Sequence, residues 1–308
     1  MEGEVMQKIN PYALKRFSFV FWIFGILILM SPLDAMAVVF NDGGVHYVHD
    51  YIGAVEVYDA PGGIPTTVNF ISGGSTSDLL VSGNSVVSLS NGSYVTYVQS
   101  LNNSSVNVYG GGHENAEAED NSSWTITGGG FDSLSFRDNS RLTVDGGGVS
   151  NLSISSGATA TVVDIIGCLA LFNSGTSRIY SGQIDTLVAG GVTDIYGVRG
   201  YGPFEFYVSG DVSFYGTGFN VPFGTYTQAS GLSDLIGILS DGSSLDIALP
   251  SSWGAGATIT LIDSRGWTVP SSVIGNQYKR TAGIMNLSFL FIIPAGIVLA
   301  LKKFRKKP

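Results

Sequence analysis

A periodicity constrains this chain more than any other feature. Between residues 84 and 191 the sequence repeats every 18 residues, as in NNSSVNVYGGGHENAEAE, DNSSWTITGGGFDSLSFR and DNSRLTVDGGGVSNLSIS. Gly92, Gly110, Gly128, Gly146 and Gly182 share one column, broken only by Asp164. Asn84, Asn102, Asp120, Asp138, Ser156 and Ser174 fill a column of turn formers, and Val98, Ala116, Leu134, Leu152, Ala170 and Val188 an apolar one. A fixed period of about 20 residues marks a solenoid, in which each repeat buries its apolar face only by stacking on its neighbours.

Within a repeat the pattern is turn, strand, glycine run, strand: Asp120-Asn121-Ser122, then Trp124 and Ile126, then Gly128-Gly129-Gly130, then Leu134 and Phe136. Asn, Asp and Gly tolerate the left-handed backbone that tight corners need. Alternation turns one face inward, and the next rung lies about 4.8 Å away, so each inward column stacks like on like. Val108, Ile126, Val144, Val162 and Tyr180 are expected to line one wall, and Val95, His113, Phe131 and Val149 a short third wall. The expected fold is all-β, a parallel β-solenoid (β-helix) with 18-residue rungs over residues 69–210. Residues 38–68, with the breaker run Pro61-Gly62-Gly63, are expected to form an N-terminal cap. A C-terminal β cap is expected over 211–263, with a hairpin signal at Asp241-Gly242, followed by a linker over 264–283.

The 42 glycines and the single cysteine, Cys168, fit a turn-rich chain held by packing and backbone ladders rather than by intrachain disulfides. Residues 38–283 carry 21 acidic and 7 basic side chains, a net of 21 − 7 = 14 negative charges. Such a surface excludes nucleic acid as a partner, since that needs Lys and Arg to neutralise phosphate.

The two ends read as addresses. Lys8, Lys15 and Arg16 precede an apolar run over 17–30 and then Ala35-Met36-Ala37, the pattern of a secretory signal peptide over 1–37. Residues 284–301 carry no charge and are followed by Lys302, Lys303, Arg305, Lys306 and Lys307. That length suffices for one C-terminal transmembrane helix, its basic flank on the cytoplasmic side. The expected protein is exported and anchored to a membrane over 284–308, its body outside the cytoplasm.

This architecture resembles the PEP-CTERM class of exported bacterial proteins, although Ile284-Met285-Asn286-Leu287-Ser288 stands where that class has its Pro-Glu-Pro. The resemblance implies handling by a membrane-bound sorting protease. The Gly-rich rungs are similar in style to autotransporter passengers and pectin-lyase-like β-helices. Gly216-Thr217-Gly218-Phe219 and Leu239-Ser240-Asp241-Gly242 resemble a module that precedes membrane-sorting tails in exported β-helix proteins, which implies a structural cap or spacer.

The densest acidic run, residues 113–120, supplies the one candidate site. In the repeat frame Glu114 stacks on Asp132 and Asp120 on Asp138, and like charges one rung apart raise each other's pKa or recruit a cation. Calcium is the one candidate cofactor, with Glu114, Asp120, Asp132 and Asp138 as its oxygen donors; the corner column explains the same Asp residues as turn formers. Arg137 and Arg141 flank Asp138, while His46, His49 and His113 lack a metal-ligand spacing. No nucleophile elbow or phosphate loop is present. The expected function is a non-catalytic structural or adhesive surface rod, with exopolysaccharide or other surface proteins as partners. The alternative is a carbohydrate-active β-helix enzyme, a polysaccharide lyase or hydrolase.

Overall fold

The computed structural model describes residues 37–199, 204–249, 253–254 and 256–266; the segments expected as signal peptide and membrane helix lie outside them. The described chain winds as a parallel β-solenoid of about ten turns. One wall stacks the strands Val45–Val48, Thr67–Phe70, Val86–Leu89, Ser105–Val108 and Ser123–Ile126 in parallel register, and continues through Thr176–Ile179 and Val192–Ile195 to Asp211–Thr217 and Thr258–Asp263. Its strands alternate inward and outward residues. The inward column Val48, Phe70, Leu89, Val108, Ile126, Val144, Val162, Ile179, Ile195, Phe214 and Leu261 is buried throughout. Parallel strands covered on one face by the other walls need such continuous apolar ladders, because among the described residues no helix layer covers them.

The second wall stacks Val55–Val57, Ser75–Val81, Tyr94–Ser100, Gly112–Ala118 and Gly130–Phe136, and continues to Glu205–Val208. Its inward column runs Val55, Leu79, Val98, Ala116, Leu134, Leu152, Leu171, Leu187 and Phe206. The short third wall is as expected: Thr76, Val95, His113, Phe131 and Val149 pair in register and are buried. Residues 38–57, expected within a cap, already pair in parallel with the rungs above them.

The 18-residue period holds only in the middle of the rod. Ser75 pairs with Tyr94, a rung of 19, and Val55 with Leu79, a rung of 24. Beyond Val144 the register shifts, so that Asp145 pairs with Asp164 and Asn151 with Ala170. Three expected column members are therefore corrected. Leu171, Leu187 and Ile179 point inward where the strict repeat places Ala170, Val188 and Tyr180. Likewise Asn84 stacks on Asn103 rather than Asn102. The cause is the two-residue side-chain period of a strand. A slip of one residue turns every side chain to the other face, so the chain absorbs length changes at corners to keep its apolar set inside.

Trp124 is fully buried above Val106, with Phe131 and Phe136 at its edges, ring centroids 5.9 Å away in both cases. Its indole nitrogen donates to Ser100 Oγ at 2.6 Å. The one polar atom of this buried ring is thus paired.

At the C-terminal end the pairing changes sense. Thr258–Asp263 continues the parallel stack on Asp211–Thr217 but accepts Gly224–Thr227 antiparallel on its other side. Asp234–Leu239 and Ser244–Ala248 form the hairpin expected at Asp241-Gly242. Its turn is tied to the last rungs: the Asp241 amide donates to the Tyr196 carbonyl at 3.1 Å, and the Ser240 amide to that of Tyr215 at 2.9 Å.

Candidate functional site

The four acidic candidates fall into two pairs at different places on the rung. Asp120 and Asp138 occupy successive corners with φ of 57° and 55°, directly above Asn102 at 59°. Their carboxylates serve the backbone. Asp120 Oδ2 accepts from the Asn102 amide at 3.0 Å, and Asp138 Oδ2 from the Asp120 amide at 3.5 Å. Each acidic side chain therefore ties its own rung to the one below.

Glu114 and Asp132 sit instead where the third wall bends into the second. Glu114 accepts a hydrogen bond from the Tyr94 hydroxyl. That bond, with a contribution from the Asp132 charge, holds the Tyr94 hydroxyl above its ordinary pKa. One residue pair further along, burial and the Glu117 carboxylate push Tyr97 up to about 12, its hydroxyl donating to Glu117 at 3.0 Å. Between Glu114 and Asp120 the chain runs as the strand Gly112–Ala118. At about 3.3 Å per residue, roughly 10 Å or more separates the two acidic pairs. Calcium draws six to eight oxygens within about 2.6 Å. The structure brings Asp120 to Asp138 and Glu114 beside Asp132, but not the four together. Among the described residues, no three His, Cys, Asp or Glu side chains form a metal-holding group.

The basic neighbours are engaged as well. Arg137 turns away from Asp138 and pairs with Glu117 at 3.2 Å and Glu119 at 3.9 Å, one rung below. His46 pairs with Asp42 at 2.8 Å. His113 is buried, its Nε2 within 3.2 Å of the Gly110 carbonyl and its ring 4.8 Å from that of Phe131. Burial pushes its pKa below the ordinary histidine value. It is a wall residue.

Three features lie outside the expected site. The first is a recess of about 320 Å³ lined by Asp164, Ile166, Ser181, Gln183 and Arg199. It opens at the register shift, where Asp145 and Asp164 are partners on adjacent rungs. The interruption of the glycine column at Asp164 is its signal in the sequence. The second is a ladder of Tyr180, Tyr196 and Tyr215, stacked with centroids 4.8 and 4.1 Å apart. The third is an outward column of Phe172, Val188 and Tyr207 on the second wall. Neither column is visible until the register shift is known. Chemically, the recess offers the Asp164 carboxylate and the Arg199 guanidinium. The two columns offer aromatic surface.

Comparison with known proteins finds no matching family model, no matching curated protein and no matching solved structure.

Proposed function

We propose that this chain is an exported, membrane-anchored rod with a structural or adhesive role at the cell surface. The observation that carries this reading is the evenness of the stack: from Ser75 to Asp211 no rung exceeds 19 residues. Among the described residues, corners that short leave nothing overhanging the walls to enclose a substrate, whereas active sites on such scaffolds are built from long loops. The working part of the molecule is then its outer surface. The two apolar runs at 17–30 and 284–301, the second followed by five basic residues, support export and anchoring.

A second reading, a carbohydrate-active enzyme, draws on Asp164 beside Arg199 in the recess, with Asp145 one rung below Asp164, since glycoside hydrolysis uses two carboxylates flanking the scissile bond. Release of shortened sugars from a bound polysaccharide, lost in Asp164→Asn, would favour it.

Anchoring is tested by fractionating cells that express the chain with and without residues 284–308. The full chain is expected in the membrane fraction with its body accessible to added protease, and the truncated chain in the soluble fraction. Equal release of both would end the anchored reading.

A further inference from the structure

We infer that the outward column Phe172, Val188 and Tyr207 is a docking platform for a neutral, extended glycan chain lying along the solenoid axis. The inference rests on the surface-rod reading and names its ligand class.

The column changes character along the rod. In register it reads Gln99, Glu117, Ser135 and Ser153 on the lower rungs, then Phe172, Val188 and Tyr207 above the shift. A polar sheet surface thus becomes apolar over three consecutive rungs, and Leu169 on the strand of Phe172 extends it, 57% exposed. Phe172 and Tyr207 keep 46% and 49% of their surface in solvent. Among the described residues neither ring stacks on another, so each has aromatic surface to offer. The tyrosine ladder differs on this point. Tyr180, Tyr196 and Tyr215 lie face to face and use their π-faces on one another.

Geometry and charge select the occupant. Phe172 and Tyr207 are two rungs apart, about 9.6 Å at the β-sheet spacing. That is comparable to the length of a disaccharide unit in an extended β-linked glycan, so alternate sugars meet a ring. The spacing is set by parallel backbone ladders and does not depend on loops, so the rings are preorganised. The neighbouring outward column carries Asn151, Ala170, Thr186 and Glu205, whose amide, hydroxyl and carboxylate can bond sugar hydroxyls. A second copy of this chain fits the face less well. Its body carries the same 14 net negative charges, and Asp185 and Glu205 beside the platform would face their own kind. Anionic polysaccharide meets the same repulsion. A neutral glycan presents C–H faces to the rings and hydroxyls to the flanking groups, with no charge to oppose the field.

The test is calorimetric titration of the full-length chain with cellohexaose and chitohexaose as neutral probes and polygalacturonate as an anionic one. Binding of at least one neutral probe is expected, weakened about tenfold by Phe172→Ala or by Tyr207→Ala, in line with the loss of one ring contact. Tyr180→Phe should leave it unchanged. Both ring positions are half-exposed, and thermal melts matching the parent establish that the variants fold. The inference is overturned by absence of binding to both neutral probes, by binding that both substitutions leave intact, or by preference for polygalacturonate. Concentration-dependent association in sedimentation that is lost in the same variants would overturn it in favour of a second copy. If cells expressing the chain still adhere to a surface while the variants adhere as well as the parent, the platform is wrong and the surface-rod reading stands.

Discussion

At the scale of single residues, His113 is an imidazole placed on an inward wall. Val95 lies below it and Phe131 above, its Nδ1 has no partner, and burial is the main cause of its lowered pKa, partly opposed by the Gly110 carbonyl. Glu114, next in the chain, is committed outward to Tyr94. A histidine whose folded pKa lies below its unfolded value of about 6.5 binds more protons when unfolded, so its contribution to stability is present above that value and falls as pH drops below it. His113→Leu removes the titration and the unpaired nitrogen together. Thermal melts between pH 7 and pH 5 are expected to show a smaller acid-side fall in Tm for the variant than for the parent. Parallel curves would show that the acid sensitivity lies elsewhere. The same residue shows how much was legible. His113, Phe131 and Val149 fall in one column of the sequence repeat and occupy one wall of the molecule. The acidic residues were legible as corners and less so as a site, because a column records which side chains stack but not how far apart two columns lie.

At the scale of elements, corners carry two distinct requirements. Asn102 needs a backbone with φ of 59°, whereas Gly191 needs the absence of a side chain: a Cβ there would lie 2.1 Å from the Gly175 carbonyl oxygen of the rung below. The two therefore respond oppositely to substitution. Asn102→Gly relieves the left-handed strain but gives up the Asn102 Nδ2 donation to Ser82 Oγ at 2.7 Å, and should shift stability by no more than about 1 kcal/mol. Gly191→Ala forces adjacent rungs apart and should cost about 1–3 kcal/mol. Urea melts of the two variants separate the requirements, and a costly Asn102→Gly with a silent Gly191→Ala would refute this account of the corners. The register shift explains why the later elements were not legible. Ala170 and Leu171, Leu187 and Val188, and Ile179 and Tyr180 are pairs in which both neighbours are apolar or aromatic. Either member satisfies an apolar column, so pattern alone cannot choose between them. Choosing the wrong member also conceals the surface, because Phe172 turns outward only when Leu171 is inward.

At the scale of the whole molecule, stability is shared between neighbours along one axis, and length becomes a modular quantity. Removing residues 120–137 takes out one rung and joins Glu119 to Asp138. Ser105–Val108 then meets the segment that begins at Arg141, and Gly112–Ala118 the one that begins at Gly148, in the register each already uses with the rung removed. Leu142 would stack on Val106, Ile154 on Ala118 and Val149 on His113, so the inward columns stay closed. The shortened chain is expected to fold cooperatively, with a lower Tm from the loss of Trp124, Phe131 and Phe136. Its long axis by small-angle scattering should be shorter by about 4.8 Å, one strand spacing. Inserting one alanine between Trp124 and Thr125 changes the length far less but works inside a strand. It turns either Trp124 or Ile126 to solvent, and no corner is available to absorb the extra residue. That variant is expected to lose its cooperative transition. A solenoid built from interchangeable rungs must tolerate the loss of eighteen residues better than the gain of one. The opposite ranking would mean that contacts across several rungs, such as Trp124 to Ser100, hold the rod together in place of nearest-neighbour stacking.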